Sequence, residues 1–268
     1  MMARWRIMKK YIQYNAFQNE EVIIAIPALG ERKEMFAALA SALPETYIVA
    51  IDLPGHNGRL DSDFSFQTFI NTIKEIMEHL NITKAHFLGN SIGAWIIQKF
   101  YTNYPDSVQS LILLDGGYYF IGEYQLDDEA EIQLPIIERL EDLQEAITEE
   151  VSNMINLSAE NKEYLYNYFF HNFVEKNNIF YHHSNVKALN DLSKAIEINN
   201  YCIENEIPLS VLLLLADDHP DSLLHKKLNR FQGRQPNALV EIIPDSYHFL
   251  PLTNPSEVAE RIRKAILR

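Results

Sequence analysis

Gly89-Asn90-Ser91-Ile92-Gly93 stands where a strand-like run ends and a helical pattern begins. Ala85-His86-Phe87-Leu88 precedes it, and Ala94-Trp95-Ile96-Ile97-Gln98-Lys99-Phe100-Tyr101 follows. A serine on such a strand–turn–helix holds its hydroxyl clear of the sheet. The helix behind it aims its first N–H groups at developing negative charge. Side chains two residues away on either side would clash with so sharp a turn, which accounts for Gly89 and Gly93. The chemistry this pattern supports is nucleophilic attack on an acyl carbon.

A serine hydroxyl is a weak nucleophile at neutral pH. It needs a base within hydrogen-bond reach, and the base needs a carboxylate to fix its tautomer and stabilise its cation. The elements that must position these groups can be read along the chain. Apolar strands are expected over residues 21–26, 47–51, 85–88, 110–115, 209–215 and 238–243, with a short edge strand over 11–17. Helical patterns cover 33–43, 66–80 and 255–267. Strand and helix alternate up to residue 115 and the strands are apolar throughout, which implies a parallel sheet covered by helices on both faces. Residues 116–206 read as helices without strands between them. The sheet pattern then returns, with Asp217 and Asp218 just beyond one strand and Asp245-Ser246-Tyr247-His248 beyond the last.

The order Ser…Asp…His, each near a strand end, resembles the α/β-hydrolase family over nearly the whole length. The segments that carry the resemblance are the 89–93 turn, Tyr104-Pro105-Asp106-Ser107-Val108 with Leu111-Ile112-Leu113-Leu114-Asp115, Ile51-Asp52-Leu53-Pro54-Gly55-His56, and His248 followed by Pro255 and Val258. Several spaced matches are far more specific than one. The resemblance implies an α/β fold, with residues 1–116 and 207–268 as the core and 117–206 as a helical cap inserted after the sixth strand. Cap and core are expected to form separate contact clusters. It also implies Ser91 as nucleophile and His248 as general base. His56 precedes the serine, His86 lies in a strand, and His182 and His183 belong to the cap.

The family usually places Gly-x-x-Asp after the strand at 209–215. Here Ala216 takes the glycine position and His219 the aspartate position. Asp218 is the expected acid, with Asp217 and Asp221 as alternatives; Asp115 is another, because some members take their acid from the preceding strand, but its expected role is structural, in the turn into Gly116-Gly117. The family's oxyanion loop commonly begins His-Gly. The matching residues are Pro27-Ala28, so the expected donors are the backbone N–H groups of Leu29 and Ile92.

A formal net charge of -14 disfavours nucleic acid and anionic lipid as partners. Residues 121–160 hold twelve acids and one base, Arg139, which reads as solvated helix faces or as an acidic rim that turns anions away. A small neutral or apolar substrate is therefore expected. No apolar run reaches the roughly 18 residues of a membrane span. The single cysteine, Cys202, fits a packed thiol in a cytoplasmic protein. No metal and no cofactor is required by this chemistry. Three functions compete: hydrolysis of an ester or related acyl compound, a lyase or carbon–carbon bond hydrolase using the same residues, and a non-catalytic binding protein. The pattern yields a first test. Ser91→Ala should lower turnover of para-nitrophenyl esters by at least ~10³-fold with the thermal unfolding curve unchanged, since such residues act as a unit.

Overall fold

The structure, a computed structural model, describes residues 10–15, 21–124, 131–218 and 222–267. Strand β1 is Tyr11–Tyr14, β2 is Glu21–Ile26 and β3 is Thr46–Ile51. A short 3-10 turn at Lys33–Phe36 leads into helix α1, Ala37–Ala42. Helix α2 spans Phe66–His79 and starts at Ser65, whose hydroxyl accepts from the Thr68 N–H. Its apolar spacing buries Phe69, Ile70, Ile73, Ile76 and Met77 on one side. Strand β4 (Ala85–Asn90) runs through Ser91 into α3 (Ile92–Asn103), and β5 is Val108–Leu114. Every residue of β3 and β4 is buried, as expected for strands covered on both faces.

Among the described residues, the segment between β5 and Ser210 supplies no strand to the sheet that holds β1–β5. It contains β6 (Ile136–Ile137), α4 (Leu140–Asn153), α5 (Ala159–Phe170), β7 (Phe173–Lys176), β8 (Ile179–His182) and α6 (Val186–Ile198). The expectation of helices alone is corrected here: β6, β8 and β7 form a three-stranded antiparallel sheet. The reason is local. Asn177 and Asn178 both adopt positive φ, +54° and +61°, the geometry that closes a two-residue hairpin. The acids of α4, Glu141, Asp142, Glu145, Glu149 and Glu150, all face solvent. Asp127, Asp128 and Glu129 lie outside the described residues, as does Phe17 of the expected first strand.

The main sheet resumes with β9 (Ser210–Ala216), followed by α7 (Leu224–Arg234), β10 (Leu239–Ile243), a short helix α8 (Leu250–Thr253) and α9 (Pro255–Ala265). The seven strands lie in the order β1-β3-β2-β4-β5-β9-β10. All pairs are parallel except β1 with β3. Alternate residues feed two cores. Ile24, Ile26 and Val49 pack with α2 and α3, while Ile23, Ala25 and Ile48 pack with α1 and α9. Both cores continue into the segment between β5 and β9. Leu192, Ile196 and Cys202 join the first, and Leu143, Ile147, Leu165 and Tyr168 join the second. The segment therefore shares its apolar interior with the sheet, against the expectation of separate clusters. Burial pushes the Cys202 thiol up to about 12, in keeping with a packed side chain.

One ion pair is enclosed where β3 ends. The Asp52 side chain is fully buried and takes Lys33 Nζ at 2.5 Å, the Lys33 N–H at 2.8 Å and Asn57 Nδ2 at 3.1 Å. Burial outweighs these donors and raises its pKa to about 6. Removing one partner of an enclosed pair strands the other charge. Asp52→Ala should cost about 3–5 kcal/mol in urea-induced unfolding.

Candidate active site

Ser91 sits at φ +51°, ψ −121°, in a region that L-residues rarely adopt. Its N–H donates to the Leu114 carbonyl (2.8 Å), extending the β4–β5 ladder, and its own carbonyl accepts from Ala94 (2.9 Å). The neighbouring glycines are required by space. A Cβ on Gly89 would lie 2.2 Å from the Gly93 carbonyl carbon, and one on Gly93 would lie 2.4 Å from the Ile26 oxygen. A third glycine, Gly116, closes the far side, where a Cβ would stand 2.5 Å from the Ser91 oxygen.

His248 follows β10 on a loop held at several points. Ser246 Oγ donates to the Ile243 carbonyl (2.6 Å), and the Tyr247 N–H donates to Thr253 Oγ1 (3.2 Å). The His248 carbonyl accepts from Asn90 Nδ2 (3.1 Å), which donates equally to Leu114 (3.1 Å). Asn90, the residue before the serine, thus ties the histidine loop to the end of β5.

The carboxylate that meets His248 is Asp115: its Oδ2 lies 2.6 Å from Nδ1. Asp115 adopts φ +48° just beyond β5. Its N–H donates to Leu214 (2.8 Å), its Oδ1 accepts from Ala216 (3.1 Å), and its side chain is only 6% exposed. The expected acid, Asp218, is not the carboxylate that meets His248. Asp217 and Asp218 are both exposed, and their backbone N–H groups are taken up by Ser246, at Oγ (3.2 Å) and at the carbonyl (3.4 Å). The physical reason is lateral. β5 adjoins β4, the strand that carries the serine, whereas β9 is one strand further away. Asp221 lies outside the described residues.

The loop at 27–31 is a hydrogen-bonded turn. Glu31 N–H donates to Ala28 O (3.1 Å), with Gly30 at φ +83°, the pattern of a type II turn. Among the described residues neither the Leu29 nor the Ile92 N–H has a hydrogen-bond acceptor. Gly30 N–H donates to His56 Nε2 (3.0 Å), while His56 Nδ1 donates to Pro54 O (2.9 Å), which fixes a neutral tautomer.

A family model described as the alpha/beta hydrolase fold matches residues 21–255. The chain belongs to this family. It is similar to monoacylglycerol lipase ABHD6 of Mus musculus, with 25% identity over 154 residues, 51% of this chain and 43% of that one. It is also similar to a serine hydrolase-like protein of Homo sapiens, with 29% identity over 129 residues, 46% of this chain and 62% of that one. The chain thus spans less than two thirds of the length of these curated relatives. Among solved structures, E-2-(acetamidomethylene)succinate hydrolase superposes with a TM-score of 0.73 at 14% identity, covering 96% of this chain and 94% of that one. At that identity the likeness is one of fold.

Within the family's architecture, the sequence pointed to Ser91 and His248 but not to the partners around them. Asn90, Gly116 and His56 act through backbone groups far along the chain. Asp115 had a legible signal, since it directly follows an apolar strand and precedes two glycines. His183 Nδ1 accepts from the Asn57 N–H (2.9 Å), so the loop after β3 is held by the inserted segment. Burial depresses the pKa of His56 to about 4, of His182 to about 4 and of His183 to about 2. In the unfolded chain these rings titrate near 6.5. Between about pH 6.5 and 4 the unfolded state binds protons that the folded state refuses. Stability is therefore complete above about 6.5 and falls as pH falls through that window. Urea midpoints measured from pH 7.5 to 4 should decline accordingly, and His56→Asn should make the decline shallower.

Proposed function

We propose that the chain is a serine hydrolase that cleaves an ester or related acyl compound. One observation carries the reading: the 2.6 Å contact of His248 Nδ1 with a buried Asp115 carboxylate, beside a serine held at positive φ. Ser91 Oγ attacks the acyl carbon while its proton passes to His248 Nε2. Asp115 holds the ring with its proton on Nδ1 and stabilises the cation that forms. The tetrahedral oxyanion is met by the N–H groups of Leu29 and Ile92. His248 then protonates the leaving alcohol, an acyl-Ser91 remains, and water activated by the same histidine releases the acid.

The substrate is a small neutral or apolar molecule, since the net charge of -14 repels anions. The inserted segment serves as the cap that shapes its site. The lipase and serine hydrolase-like relatives support the class of reaction. Asp115→Asn should lower kcat on para-nitrophenyl esters by roughly 10³–10⁴-fold, because the ring is then held in the wrong tautomer. Asp218→Asn should stay within about twofold of the unsubstituted chain, being outside that unit. The reverse result would overturn the assignment.

A further inference from the structure

Between the inserted segment and the oxyanion loop lies a buried polar cluster to which the reaction above gives no role. Glu31 is 6% exposed, Tyr168 6% and Asn172 3%. Asn172 Nδ2 donates to Glu31 Oε2 (3.2 Å), and Asn172 Oδ1 accepts from Arg32 Nε (2.7 Å). The Arg32 N–H donates to Tyr168 Oη (3.2 Å), and Arg32 Nη2 donates to the Tyr168 carbonyl (3.2 Å). Asn172 is itself immobilised, since its N–H reaches Phe169 O (3.0 Å) and its carbonyl accepts from His183 (2.8 Å).

These contacts fall on Glu31, the last residue of the Ala28–Glu31 turn, and on Arg32 just after it. His56 anchors the turn from the core side at Gly30, while the side-chain hydrogen bonds of Glu31 and Arg32 reach Tyr168 and Asn172 of the inserted segment. The same stretch also reaches the base. Phe169 packs edge-on against Phe249 at 6.3 Å between ring centres, and Phe249 lies 5.4 Å from the His248 ring. Residues 168–172 therefore bridge the loop that offers the Leu29 N–H and the loop that carries His248. An enclosed hydrogen-bond network of this kind has few alternative arrangements.

We propose that Asn172 is a positioning residue for acyl transfer, holding Glu31 and Arg32 so that the Leu29 N–H points at the forming oxyanion. The inference rests on the serine hydrolase reading given above. Its consequence is that the segment between β5 and β9 is part of the oxyanion machinery as well as a cover over the substrate. A donor displaced by about 1 Å can cost on the order of 10²-fold in rate. Binding of the ground-state ester does not need the donor aimed so closely, so the loss falls on kcat.

The test compares Asn172→Ala, Asn172→Asp and Glu31→Gln. Each is measured for kcat and KM on a para-nitrophenyl ester and for affinity toward an aryl trifluoromethyl ketone, which adds Ser91 Oγ to its carbonyl and places an oxyanion in the site. Asn172→Asp keeps the size but removes the donor to Glu31. Glu31→Gln keeps an acceptor for Asn172. The two Asn172 variants should lose 10- to 100-fold in kcat, with KM within about threefold, and lose ketone affinity in parallel; Glu31→Gln, which keeps the contact to Asn172, should lose less than either. Concentrations are set by the folded fraction from thermal melts. Should Asn172→Ala fail to fold, the isosteric Asn172→Asp carries the comparison. Unchanged ketone affinity per folded molecule in the Asn172 variants would overturn the proposal. A parent chain in which the ketone never engages Ser91 would instead overturn the hydrolase reading on which it rests.

Discussion

A serine at φ +51° is held only because backbone closes on it from three sides. The end of β2 meets Gly93, the start of α3 meets Gly89, and the turn after β5 meets the serine's own backbone at Gly116. None of these approaches leaves room for a Cβ. The constraint fixes the heights of β2, β4 and β5 relative to one another at the sheet edge where the polar residues emerge. It also explains why Asp115 is followed by glycine. Any larger residue at 116 would push the β5 turn away from Ser91 and carry the carboxylate with it.

From that crowded edge the remaining parts are held by hydrogen bonds that each have a backbone group on at least one side. Asp115 is fixed by Ala216 and Leu214, and the His248 loop by Asn90 and Thr253. Such anchoring is what preorganisation requires, because the donors need not reorganise as charge develops. The enclosed groups are costly elsewhere. Asp52 and Glu31 have raised pKa values from burial, and His56, His182 and His183 are kept neutral by it. The loops that shape the site are therefore stable only while these hydrogen bonds persist.

The fold was legible wherever a local pattern decided it. Apolar strands without alternation announced a parallel sheet, and two glycines around a serine between strand and helix announced the turn. Pattern failed at β7 and β8, where exposed Val174 and Tyr181 blur the alternation and the turn residues are two asparagines rather than Asn-Gly. It left open which carboxylate meets His248. Asp115 and Asp218 both follow apolar strands, and the choice depends on which strand lies beside β4, a fact of sheet order rather than of either sequence. Asn172 and Glu31 lie 141 positions apart, and nothing in the sequence marks either as the other's partner.

The account depends most on the pairing of Asp115 with His248, and imidazole 15N chemical shifts report it directly, since they distinguish which ring nitrogen bears the proton. With the ring neutral, His248 should carry its proton on Nδ1 in the unsubstituted chain and in Asp218→Asn, and should lose that preference in Asp115→Asn. A proton on Nε2 in the unsubstituted chain, or an Nδ1 preference that survives Asp115→Asn, would contradict the account.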